Sequence, residues 1–194
     1  MKKNFYKGLI VFLAIFVFIT IVSCSFGNQT EKANEYIDKA NEKIDSYNEL
    51  DEDAEEIGGK YDVLEDTPEG HQEAIKLTNQ LDKIVEDQKD ELEEAKDNYK
   101  KISDLNVSDE FKKYVEMEID VVDSLLELAD KNSESVKGLK ELFQKISEEN
   151  STESELKALN DKVFKLNQEA EDIADEADKL KDKALDYYKD NDLG

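Results

Sequence analysis

Residues 152–188 read TESELKALNDKVFKLNQEAEDIADEADKLKDKALDYY. Leu156, Leu159, Val163, Leu166, Ala170, Ile173, Ala177, Leu180, Ala184 and Tyr187 fall three and four residues apart throughout. A repeat of 3.5 residues is the seam of helices that pack side by side. Thr152 with Glu155 three residues on is a capping box, which starts the helix. The stretch therefore predicts a helix over about 153–189, ahead of a short tail at 191–194.

The same seam recurs upstream. Ala33, Ile37, Ala40, Ile44 and Tyr47 step by four and three from a start near Thr30, weaken at Asp51 and resume at Ala54 and Ile57. Gly58-Gly59 then interrupts the pattern, since each glycine costs a helix about 1 kcal/mol relative to Ala. The first helix is expected over about 30–64, either stopping or kinking at that pair. Thr67-Pro68-Glu69 supplies an N-cap, a first-turn proline and an acid. The second helix, 68–103, places Ala74, Leu77, Leu81, Ile84, Gln88, Leu92, Ala95, Tyr99 and Ile102 inward, with a stutter between Gln88 and Leu92. Ser108 caps a third, over about 109–149. Its inward positions are Phe111, Val115, Val122, Leu125, Leu126, Ala129, Val136, Leu139, Leu142, Phe143 and Ile146. Gly138 lies inside this pattern, where a bend or a close approach is expected.

Four long helices joined by short breaks predict an all-α, elongated, antiparallel (up-down-up-down) four-helix bundle over 30–190. The alternative is a three-helix bundle over 68–190 with the first helix splayed off as a stalk. With one Pro, no Trp and seven Gly, the composition suits long helices better than sheets.

The segment before the bundle differs in kind. MKKNFYK carries Lys2, Lys3 and Lys7, and LIVFLAIFVFITIVSC follows from Leu9 to Cys24. A basic flank, an apolar core and a small residue at the cut is the layout of a secretory signal. The closing Ile21-Val22-Ser23-Cys24 resembles the lipobox of bacterial lipoproteins. That resemblance implies a diacylglyceryl group on the Cys24 sulfur, fatty acylation such as palmitate, and cleavage between Ser23 and Cys24. The domain would then hang from the extracytoplasmic face of the cell membrane by Cys24 and a tether ending at Gln29. Cys24 is the sole cysteine, so no internal disulfide can form. The alternative is an uncleaved transmembrane anchor, because about 20 apolar residues span a bilayer. Both place the rest of the chain outside the cytoplasm.

The chain carries 50 Asp and Glu against 26 basic residues, for a net charge of −24. Losing 1–23, with three lysines and no acid, leaves the mature part near −27. Every basic residue is Lys, so the bidentate grip of Arg on phosphate is missing. Such a surface repels nucleic acid and anionic wall polymers, and nucleic acid is excluded as a partner. Basic proteins and partners bridged by divalent cations remain open.

Chemistry is hard to find. Asp51–Asp62 (DEDAEEIGGKYD) has acids at places one, three, five and twelve of a candidate calcium loop. It lacks the Gly at place six and the Glu at twelve, so a solvated helix end is the expectation. The only histidine, His71, has no Glu three residues before it, which rules out a di-iron bundle; it is expected to sit exposed in its helix's first turn. No triad, phosphate loop or nucleophile elbow occurs. Tyr114, Tyr187 and Tyr188 are read as seam packing before a contact patch. No enzyme activity, cofactor or metal is expected.

A lipobox followed by long helices rich in acids and Lys is similar to the cell-wall-binding helical lipoproteins of Gram-positive bacteria. That similarity implies a surface lipoprotein in contact with the envelope. The expectation is a non-enzymatic, membrane-anchored helical module for protein contact or spacing. The alternatives are a ligand-binding or sensory bundle and a wall-associated lipoprotein. A ligand-binding bundle needs polar residues facing one another across the seams, and Gln88 and Asp51 are the clear seam breaks.

Overall fold

The computed structural model describes residues 27–61, 63–148 and 151–193. Ser23, Cys24 and the whole signal segment lie outside the described residues, as does Asp62 of the calcium-loop motif. Four helices run in chain order: α1 (Gly27–Tyr61), α2 (Pro68–Ser103), α3 (Asp109–Ile146) and α4 (Glu153–Asp190). At 1.5 Å per residue each is about 55 Å long. Among the described residues no helix is long and apolar enough to cross a membrane.

Local chemistry sets the starts. The Thr67 hydroxyl accepts from the Gly70 amide at 3.1 Å, with Pro68 in the first turn. The Ser108 hydroxyl accepts from Phe111 N–H at 3.1 Å. At α4, the Thr152 amide donates to Glu155 Oε2 at 2.9 Å while Glu155 N–H donates to Thr152 Oγ1 at 3.3 Å, the reciprocal pair of the capping box. Helix α1 begins three residues before Thr30. Its Gln29 side chain accepts from Asn106 N–H, tying this first turn to the α2–α3 loop.

The helices form an antiparallel four-helix bundle assembled in series. Helix α1 packs on α2, α2 on α3 and α3 on α4; among the described residues α1 and α4 share no interface. The splayed-stalk alternative falls, because Ala33, Ile37, Ala40, Ile44, Tyr47, Ala54 and Ile57 are all buried in the core. Helix α1 also passes straight through Gly58-Gly59. What holds it beyond them is Tyr61, whose hydroxyl donates to Ala74 C=O at 3.3 Å and lies 3.2 Å from Thr78 Oγ1. The Tyr61 ring stacks on Phe143 of α3 with centroids 5.9 Å apart.

Three seam assignments shift. In α2 the buried residue is Val85, with Ile84 only half-buried. The stutter therefore falls between Leu81 and Val85, where α2 turns its stripe to serve both neighbours. In α4 Ala174 is buried and Ile173 is half-buried. Among the described residues this helix packs on α3 alone, so small alanines are buried while Ile173 and Leu180 are half-buried. In α3 Leu126 and Ile146 are half-buried, and Tyr114, Val121 and Leu128 take buried places. Helix α3 lies between two neighbours and buries a wide face. Gly138 marks a close approach: a Cβ there would stand 2.9 Å from Val163 Cγ2 of α4.

Candidate functional site

Two features stand out from the packed apolar seams: a set of buried polar side chains, and a groove on the surface between α1 and α2.

The buried set begins with the two residues that broke the sequence pattern. Gln88 Nε2 of α2 donates to Asp51 Oδ1 of α1 at 3.3 Å. Asp51 is only 1% exposed, and burial pushes its carboxyl up to about 7. The Gln88 amide counters that rise, while Glu55 and Glu52 add to it. Its second oxygen, Oδ2, has no hydrogen-bond partner in the protein, nor do Oδ1 and Nδ2 of Asn48, one turn earlier and also buried. Asp51 is therefore not part of a solvated helix end, which corrects the sequence reading.

Further buried polar residues lie at the same height. The register is read from surface ion pairs: beside Gln88, Lys89 donates to Asp130 at 2.5 Å, and beside Asp130, Lys131 pairs with Glu169 at 3.1 Å. Beside these, Ser135 Oγ of α3 donates to Asn167 Oδ1 of α4 at 2.5 Å, and Asn132 is buried. A polar layer thus crosses all four helices near mid-length. A second cluster sits toward the end of the bundle where α1 begins. There Glu118 of α3 is buried, and desolvation holds its carboxyl above the usual range against the pull of Tyr114 and the more distant Lys181. The Tyr114 hydroxyl lies beside Glu118 but outside hydrogen-bond geometry. Tyr99 of α2 donates to Asn41 Oδ1 of α1 at 3.2 Å.

Sequence reasoning missed Glu118, Asn132, Asn48 and Asn167. A signal existed for the first two. The apolar seam of α3 skips seven residues from Val115 to Val122 and again from Ala129 to Val136; Glu118 and Asn132 fill those skips at the 3.5-residue register.

The groove is an open cavity of about 430 Å3. Glu49 and Asp53 of α1 and Asp87, Asp90, Glu91 and Glu94 of α2 line it. Lys43 bridges Glu91 at 3.0 Å and Glu94 at 2.7 Å, and these carboxylates hold the Lys43 ammonium above its ordinary value. The groove offers negative potential to a cationic partner. Among the described residues, no group of three His, Cys, Asp or Glu side chains is arranged to hold a metal ion. The calcium-loop stretch up to Tyr61 is helix, not loop.

The remaining sequence candidates separate. His71 is mostly covered, its side chain 12% exposed, with Nε2 3.1 Å from Asp66 Oδ1; the exposed placement is corrected. Tyr114 is fully buried and its ring meets Tyr188 at 5.1 Å, both as packing between α3 and α4. Lys113 lies 4.9 Å over the Tyr187 ring. Compared with family models, curated proteins and solved structures, the chain matches none.

Proposed function

We propose that this chain is a lipid-anchored extracytoplasmic module, tethered through Cys24, whose helices make protein contacts or set a spacing in the cell envelope without catalysing a reaction. The observation that carries this reading is how space is distributed in the bundle. Among the described residues one apolar cluster is fed by all four helices, and a cavity of about 430 Å3 lies open on the flank as an acidic groove. Small-molecule sites are usually concave, mostly apolar and deeply enclosing. A long packed rod beside a short tether suits contact or distance-keeping. The acidic flank favours a cationic protein surface and disfavours anionic wall polymer.

A second reading, a ligand-binding or sensory bundle, draws support from the mid-length polar layer. Asn48, Asp51, Gln88, Asn132, Ser135 and Asn167 are more buried polar groups than a pure spacer needs.

Fractionating cells that carry Cys24→Ala tests the anchor. Loss of fatty-acid labelling, with soluble product or uncut precursor, is the expected outcome; unchanged processing and labelling would overturn it. Cross-linking on intact cells, followed by identification of the captured protein, tests the contact role. Capture of a basic envelope protein by the wild type, lost when Asp87 and Asp90 are both changed to Asn, supports it.

A further inference from the structure

We propose that the α1–α2 seam is a proton-operated latch: α1 lies docked on α2 while Asp51 carries a proton, and loss of that proton loosens α1 from the helix it packs on. The geometry is a carboxyl in mid-seam with no cation opposite. Asp51 is 1% exposed, one oxygen accepts from the neutral Gln88 amide, and the other has no partner in the protein. The ionisable groups beside it on α1 are Tyr47, Glu52 and Glu55, which carry no positive charge. From α2, the residues flanking Gln88 are Asp87, which faces the acidic groove, and Lys89, which is turned to Asp130 of α3. The nearest cation of α1 along the groove, Lys43, is taken by Glu91 and Glu94. An ionised carboxylate here is buried without compensation, and such a group is costly to keep.

Helix α1 is the element able to respond. Among the described residues it packs along α2, and the Tyr61 ring at its far end stacks on Phe143 of α3. Asn48, with neither amide atom partnered, weakens the seam at the same height. The sign follows from linkage. Burial raises the docked Asp51 carboxyl to about 7, against 3.8 for the free side chain. Docking is therefore strongest below pH about 4, is lost progressively up to pH about 7, and changes no further above it.

Amide hydrogen exchange of the full chain in detergent micelles, corrected for intrinsic rates, reads the latch. Opening of residues 33–54 is expected to be roughly 30-fold more frequent at pH 8 than at pH 5.5. Asp51→Asn keeps the acceptor for Gln88 and is expected to reduce that difference in α1 to the background that surface acids give every helix. Any pH response of α3, where Glu118 is buried, persists, as does repulsion among surface acids on every helix. Opening of wild-type α1 that ignores pH, or the same response in Asp51→Asn, overturns the proposal. If Asp51→Asn does not fold, carbon NMR titration of the wild-type Asp51 carboxyl decides: a midpoint above 6 supports the latch and one below 6 overturns it.

Discussion

The two end seams of this bundle follow the same 3.5-residue rule and differ in what they bury. Between α3 and α4 the polar pair is neutral, Ser135 with Asn167, and both helices start from hydroxyl caps. The seam is drawn tight at Gly138 against Val163 and closed at one end by Tyr114 against Tyr188. Between α1 and α2 the polar pair contains a carboxyl, Asn48 stands unpartnered beside it, and α1 carries Gly58-Gly59 near its end. Equal apolar periodicity thus does not give equal polar content. Both seams hold buried polar atoms without a partner, at Asn48 and Asp51 on one side and at Tyr114, Asn132, Asn167 and Tyr188 on the other, each costing about 1–3 kcal/mol. What separates the seams is that the hydrogen-bonded polar pair carries an ionisable carboxyl only between α1 and α2.

The comparison can be broken most severely at Tyr61. Tyr61→Ala removes a fully buried ring, its stack on Phe143 and its hydroxyl contacts with Ala74 and Thr78. A loss of about 3–5 kcal/mol is expected from the aromatic truncation. Denaturant unfolding gives its size, and faster exchange in α1 than in α4 gives its location. A milder change sharpens the contrast from the other side. Thr152→Ala deletes the capping box of α4 and should cost about 1 kcal/mol. Exchange near 153–160 should rise while α1 stays unchanged. The smallest effect is a gain. A Cβ at Gly59 would meet nothing within 4 Å, so Gly59→Ala should stabilise α1 by about 0.5–1 kcal/mol. A raised denaturation midpoint with an unchanged slope would show it. If this change instead destabilised α1, a kink at Gly58-Gly59 would be needed after all.

The heptads told most of the architecture. The stripe of α1 from Ala33 to Tyr47 is buried residue for residue, and the caps at Thr67, Ser108 and Thr152 lie where hydroxyl chemistry puts them. Periodicity could not tell that α1 has one neighbour and α2 two. Packing against two partners is why Val85 displaces Ile84, and packing against one is why Ala174 displaces Ile173. Nor could local propensity settle Gly58-Gly59, because the hold comes from Tyr61, through partners 13 and 17 residues away on the next helix. The candidate site was half legible. Asp51 and Gln88 showed as breaks in otherwise apolar registers, and the structure brings them together. Glu118 and Asn132 hid in seven-residue skips, because a search for apolar residues passes over the polar ones that share their register.

Helices stacked in series, with no closure between α1 and α4 among the described residues, also constrain how the bundle comes apart. In a ring every helix has two neighbours, and none leaves without disturbing both. Here each outer helix can peel away at the expense of a single seam, so opening proceeds from the two flanks toward the α2–α3 pair, which is the last to part.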